Sequence, residues 1–106
     1  MAFGLLYVIC NDKKEAKKIA LKLLEKRLIA CANIVPSVES VFRWKAKIAN
    51  AKECLMLCKI SKKDFKKAGK IILKMHSYEI PCIALLDVDN LNKSYSKWLL
   101  RETKAT

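Results

Sequence analysis

Phe3-Gly4-Leu5-Leu6-Tyr7-Val8-Ile9-Cys10 is an unbroken apolar run in which aromatic and β-branched residues stand among leucines. A strand with one wet face would alternate apolar and polar residues. This one does not, so it reads as a strand buried on both faces and central in its sheet. Asn11-Asp12 stop it. Asp12 followed three residues later by Glu15 is a capping-box-like helix start. Ala16, Ile19, Ala20, Leu23 and Leu24 then recur at helical spacing with lysines opposite, which predicts a first helix to about Leu28.

Downstream, Ile29 to Val35 opens a second strand. Pro36-Ser37 interrupts it, as a bend or bulge tolerates, and Val38 to Trp44 continues it. A turn follows around Lys45-Ala46-Lys47, and a third strand covers roughly Cys54 to Ile60, with Cys54, Met56 and Cys58 on one face. Ser61 is placed to cap a second helix, with Asp64 in its first turn and Phe65, Ala68, Ile72 and Leu73 as its apolar stripe. Pro81 starts the last strand, Cys82 to Val88, and a helix from about Asn92 presents Tyr95, Trp98 and Leu99 to the body. This order predicts an α+β, ferredoxin-like βαββαβ sandwich, an antiparallel sheet with helices on one face, plus an extra C-terminal helix. The length suits one domain over residues 1–106.

The crossover rules give the strands directions, and so gather the chemistry-bearing residues. The end of the first strand (Cys10), the end of the second helix (Met75, His76) and the start of the fourth strand (Cys82) share one pole, while Cys31 lies at the other. His76 is the only histidine of the chain. It follows Phe65 by eleven residues, about 20° past three full helical turns, so it ends on the core-facing side. Thiolate and thioether favour soft ions such as Cu(I), and imidazole suits copper and zinc alike. The plainer reading of His76 is a helix-end residue suited to the negative end of the dipole. Cys54 and Cys58 read as packing, since free cysteine is among the most buried residue types.

Composition bounds the partners. Two glycines and two prolines leave no linker, and five cysteines form no Cys-x-x-Cys pair, so no structural zinc site of the paired-cysteine kind is expected, and a reducing, cytoplasmic setting is. Phe3 to Ile9 is too short to span a bilayer and lacks the basic leader of a signal peptide. The formal net charge is +12, but only Arg27, Arg43 and Arg101 are arginines, and no aromatic residues interleave with the lysines as a stacking platform would require. No specific nucleic-acid partner and no membrane partner are expected. No nucleophile–base–orienter arrangement and no Gly-rich phosphate loop is legible, which points away from an enzyme.

Arg27-Leu28-Ile29-Ala30-Cys31-Ala32-Asn33, Trp44 with Lys47, His76-Ser77-Tyr78-Glu79-Ile80-Pro81, and Tyr95 with Trp98 resemble, in order and spacing, the CutA divalent-cation tolerance proteins. The resemblance covers nearly the whole chain. It implies a homotrimer formed through the long second and third strands, and a role in tolerance of copper or another divalent metal ion. Carried over by position, its copper ligands fall on Cys10, Met75 and His76, and Cys82 adds a thiol where relatives have an acidic residue. Ser77 replaces the proline of His-Pro-Tyr-Glu, Met75 stands where some relatives have a second histidine, Ile60 replaces a threonine, and Ala46 replaces a glycine, so any left-handed backbone at Ala46 would be strained. A second expectation is a regulatory trimer resembling the PII signalling proteins. It would bind a small anion or nucleotide in inter-subunit clefts involving Trp44, Lys47, Lys59, Tyr78 and Glu79. A third is a scaffold whose pole is packed but empty.

Overall fold

The computed structural model describes residues 2–104. The strands are β1 (Phe3–Cys10), β2 (Ile29–Trp44), β3 (Lys47–Ser61) and β4 (Ile83–Val88), and the helices are α1 (Lys13–Glu25), α2 (Phe65–Met75) and α3 (Lys93–Thr103). The sheet order is β2-β3-β1-β4, with every neighbouring pair antiparallel. β1 is central, as its apolar run predicts, and the fold is the ferredoxin-like sandwich with an extra C-terminal helix.

Leu6, Val8 and Cys10 of β1 and Cys54, Met56, Cys58 and Ile60 of β3 point to one face. There they meet Ala16, Ile19, Ala20 and Leu23 of α1 and Ala68 and Ile72 of α2. The other face of β1, carrying Leu5, Tyr7 and Ile9, is only half-buried. Burial on both faces, expected from the continuous run, is therefore met on the helix side alone within a single chain. Pleat alternation explains the division: one parity of the strand meets the helices, while the other has no helix layer over it among the described residues and stays half-buried.

Several boundaries differ from the expectation, each for a local reason. α1 ends at Glu25, three residues before Leu28, because Arg27 turns left-handed (φ 58°). Its N–H donates to Leu24 O at 3.0 Å and the Leu28 N–H to Leu23 O at 3.0 Å, a Schellman closure with Leu28 as its buried apolar residue. β3 begins at Lys47, seven residues before Cys54, because Lys45 (φ 49°) and Ala46 (φ 64°) form a two-residue turn that pairs Trp44 with Lys47 directly. Ala46 thus holds the left-handed conformation whose strain its lack of glycine predicts. β2 is bulged between Val35 and Val38, at Pro36-Ser37.

Ser61 does not cap α2. It ends β3, its hydroxyl is buried without a partner among the described residues, and a 3-10 turn (Lys62–Asp64) precedes the helix. Leu73, assigned to the apolar stripe, is 60% exposed, and Leu24 also faces outward. Leu99 anchors α3, while Tyr95 and Trp98 stay half-buried with ring centroids 5.3 Å apart.

The paired register places the pole. β1 ends at Cys10 opposite Cys54, so residues Val38 to Glu53 continue as a bare hairpin beyond the body of the sheet. On its two strands Val41 (70% exposed) and Ile48 (75%) stay uncovered among the described residues.

Candidate metal centre

His76 caps the C-terminus of α2, where its N–H still donates to Ile72 O at 2.8 Å while its own backbone turns extended (φ −73°, ψ 139°). The helical phase carries its ring inward, and the side chain is fully buried. Nε2 lies 2.7 Å from the Ile9 carbonyl oxygen of β1. A carbonyl can only accept, so Nε2 bears the proton. In the neutral ring Nδ1 then holds the lone pair, which accepts the Tyr78 N–H at 3.1 Å.

Glu15 stands in the first turn of α1 and reaches the same place. Its Oε1 accepts the Asn11 N–H at 2.9 Å and its Oε2 the Ser77 N–H at 3.0 Å, while its own N–H donates to Asp12 Oδ1 at 2.8 Å. The Asp12 side chain therefore caps α1 as predicted, while the Glu15 carboxylate reaches back past the cap to Asn11 instead of closing the box on Asp12, and also ties down the segment after α2. Glu15 Oε1 is 3.8 Å from His76 Nδ1. Cys10, the last residue of β1, turns its thiol to the helix side by pleat parity. One ligand atom each of Cys10, Glu15 and His76 all lie within 4.8 Å of one another.

Charge is arranged unevenly over the three. Burial, reinforced by the Glu15 carboxylate and by Cys54, pushes the Cys10 thiol up to about 12. Burial also acts to raise Glu15, but the N–H groups of Asn11 and Ser77 outweigh it and hold the carboxyl below its ordinary value. Near neutral pH the cluster thus holds a protonated thiol and a carboxylate beside the ring whose Nδ1 accepts the Tyr78 N–H. The donor set fits a divalent transition ion: one sulfur, one oxygen and one nitrogen, with two negative charges once the thiol gives up its proton.

Of the residues the sequence nominates, Cys10 and His76 come together. Met75 packs half-buried against the core and lines a shallow depression with Asp12, Glu15 and Ile19. Cys82 lies one residue before Ile83, which pairs with Val8 and packs with the core, so parity sends Cys82 to the helix-free face, where it is exposed. There it joins Trp44, Tyr78 and Glu79 around a cavity of about 770 Å³, which Phe42, Glu53 and Ile80 also line. Lys47 and Lys59 are not among its lining residues: Lys47 begins β3, and Lys59 donates to the Asn33 side chain. Among the described residues no lysine or arginine lines this cavity. Tyr78 lies between the two sites, its ring tilted 4.8 Å from that of His76 and its hydroxyl donating to Glu53 Oε2 at 2.5 Å. Sequence reasoning missed Glu15 as a member of the cluster because its capping role accounted for it. The available signal was its place in the helix turn that follows Cys10.

Comparison with known proteins agrees with this architecture. The family model of the CutA1 divalent ion tolerance protein matches residues 4–102. The chain is similar to the divalent-cation tolerance protein CutA of Thermococcus kodakarensis, 35% identical over 97 residues that cover 92% of each protein. It is also similar to protein CutA of Mus musculus, 33% identical over 99 residues, 93% of this chain and 56% of that protein. Among solved structures it resembles CutA from Archaeoglobus fulgidus (TM-score 0.94, 32% identity, 96% of this chain and 99% of that one). It resembles CutA1 from Oryza sativa as closely in shape (TM-score 0.95, 27% identity, 100% and 97%). With residues 4–102 matched by the family model and a relative 35% identical over 92% of the chain, the chain belongs to the CutA1 divalent ion tolerance family.

Proposed function

We propose that this protein serves divalent-cation tolerance by binding a soft or divalent transition-metal ion, copper or zinc, at Cys10, Glu15 and His76, without catalysing a reaction. The observation that carries the reading is the convergence of three unlike donors from β1, α1 and the end of α2 within 4.8 Å. Near neutral pH the Cys10 thiol keeps its proton, so loading expels it and affinity rises with pH. Five unpaired thiols suit a reducing compartment, hence the cytoplasm.

The working unit in this reading is a homotrimer built through the long β2–β3 hairpin. The half-buried second face of β1, the exposed Val41 and Ile48, and the outer edges of β2 and β4, unpaired among the described residues, all support self-association. A sedimentation mass of three times the 12.1 kDa chain is expected, and a monomer would refute it. Anaerobic Cu(I) and Zn(II) titrations of the parent, Cys10→Ala and His76→Ala test the metal site; equal affinity in all three would sink it. Nucleotide or anion binding is the weaker reading, because within one chain the cavity at Trp44 and Tyr78 carries two carboxylates and, among the described residues, no cation.

A further inference from the structure

Both nitrogens of the buried imidazole are already engaged by backbone groups. Nε2–H donates to Ile9 O, a contact that survives metal binding and fixes the ring's orientation. Nδ1 is thus the only nitrogen free to coordinate, and its single in-plane lone pair is held by the Tyr78 N–H. A coordinate bond and that hydrogen bond cannot share one lone pair. The carboxylate is different: each oxygen of Glu15 has two lone pairs, so it can meet a cation while keeping Asn11 and Ser77.

We infer that a cation bound at His76 Nδ1 displaces the Tyr78 N–H, and that this couples the metal centre to the cavity on the opposite face of the sheet. The inference rests on the metal-binding reading above. The donor–acceptor bond from Nδ1 to the ion forms, the N–H···N hydrogen bond breaks, and no electron changes hands. Tyr78 is a suitable relay. Its backbone belongs to the metal side, its ring lies against His76, and its hydroxyl is bonded to Glu53, which lines the 770 Å³ cavity with Trp44 and Phe42. Ser77 stays tied to Glu15, so Tyr78 is the residue that shifts. The coupling is reciprocal: whatever holds Tyr78 on Glu53 opposes the metal, and release of the phenol favours it.

Three measurements on the full-length chain test this, with Zn(II) alone as the probe. Calorimetry establishes binding, and amide hydrogen exchange follows Tyr78 with and without the ion. Saturating Zn(II) should accelerate exchange at Tyr78 about fivefold or more while leaving Ser77 protected. In Trp98→Phe, Trp44 becomes the only indole, and its emission should shift over the same titration. Tyr78→Phe frees the ring from Glu53 and should bind Zn(II) about fivefold more tightly. Bound Zn(II) with unchanged Tyr78 exchange, or with unchanged or weaker affinity in Tyr78→Phe, overturns the coupling and leaves the metal site standing. No calorimetric binding overturns the metal reading and the coupling with it.

Discussion

Glu15 and Ser77 are 62 residues apart in sequence, yet the Glu15 carboxylate accepts the Ser77 N–H at 3.0 Å. The contact fastens the segment after α2 to the first turn of α1. It fixes where His76 stands relative to Cys10. Glu15→Gln keeps one acceptor oxygen but faces the second N–H with an NH₂ group. Urea denaturation should show a loss of about 1.5–3 kcal/mol, the range for a hydrogen bond to a charged group. Zn(II) affinity should fall on the order of tenfold. A stability loss with unchanged Zn(II) affinity would make Glu15 a brace and nothing more.

The hairpin turn gives a second test. Ala46 sits at φ 64° in a two-residue loop, a region where a Cβ crowds the following carbonyl. Ala46→Gly relieves that strain and should stabilise the protein by about 1 kcal/mol, visible as a raised denaturation midpoint. A lowered midpoint would refute the strain.

The two glycines should respond with opposite signs to substitution by alanine. A Cβ on Gly4, the second residue of β1, would stand 2.5 Å from Leu85 Cδ1 and 3.0 Å from the Leu86 carbonyl oxygen. Gly4→Ala should cost about 1–3 kcal/mol as the β1–β4 pairing adjusts. A Cβ on Gly69, inside α2, meets nothing within 4 Å, so Gly69→Ala should gain about 0.5–1 kcal/mol from helix propensity. Thermal or chemical melts of the two variants, run beside the parent, check both signs.

Alkaline pH should weaken the fold through Cys58. Burial pushes its thiol from the ordinary 9.0 up to about 12. The folded state therefore holds the proton over a range in which the unfolded chain has lost it. The resulting stability is complete below pH 9 and falls as pH rises toward 12, by about 1.4 kcal/mol per pH unit from this group. Cys58→Ala should be less stable near neutrality but show a shallower alkaline decline. An equal slope in parent and variant would acquit Cys58.

Much of the molecule is legible in the sequence because it depends on local periodicity. The apolar run of Phe3–Cys10 makes β1 central, Asp12 and Glu15 mark the start of α1, and an eleven-residue step from Phe65 turns His76 inward. Element order then brings Cys10 and His76 to one pole. Tertiary structure alone decides which neighbours join them. Cys82 is excluded because Ile83 pairs with Val8, and a shift of one residue moves a side chain through the sheet. Glu15 is admitted because the α1 turn lands beside the segment after α2, and the Tyr78 N–H claims Nδ1 because His76 leaves its helix with extended backbone. Periodicity governs which face of an element a side chain takes. The meeting of donor atoms within 4.8 Å depends on register and packing between elements far apart in the chain.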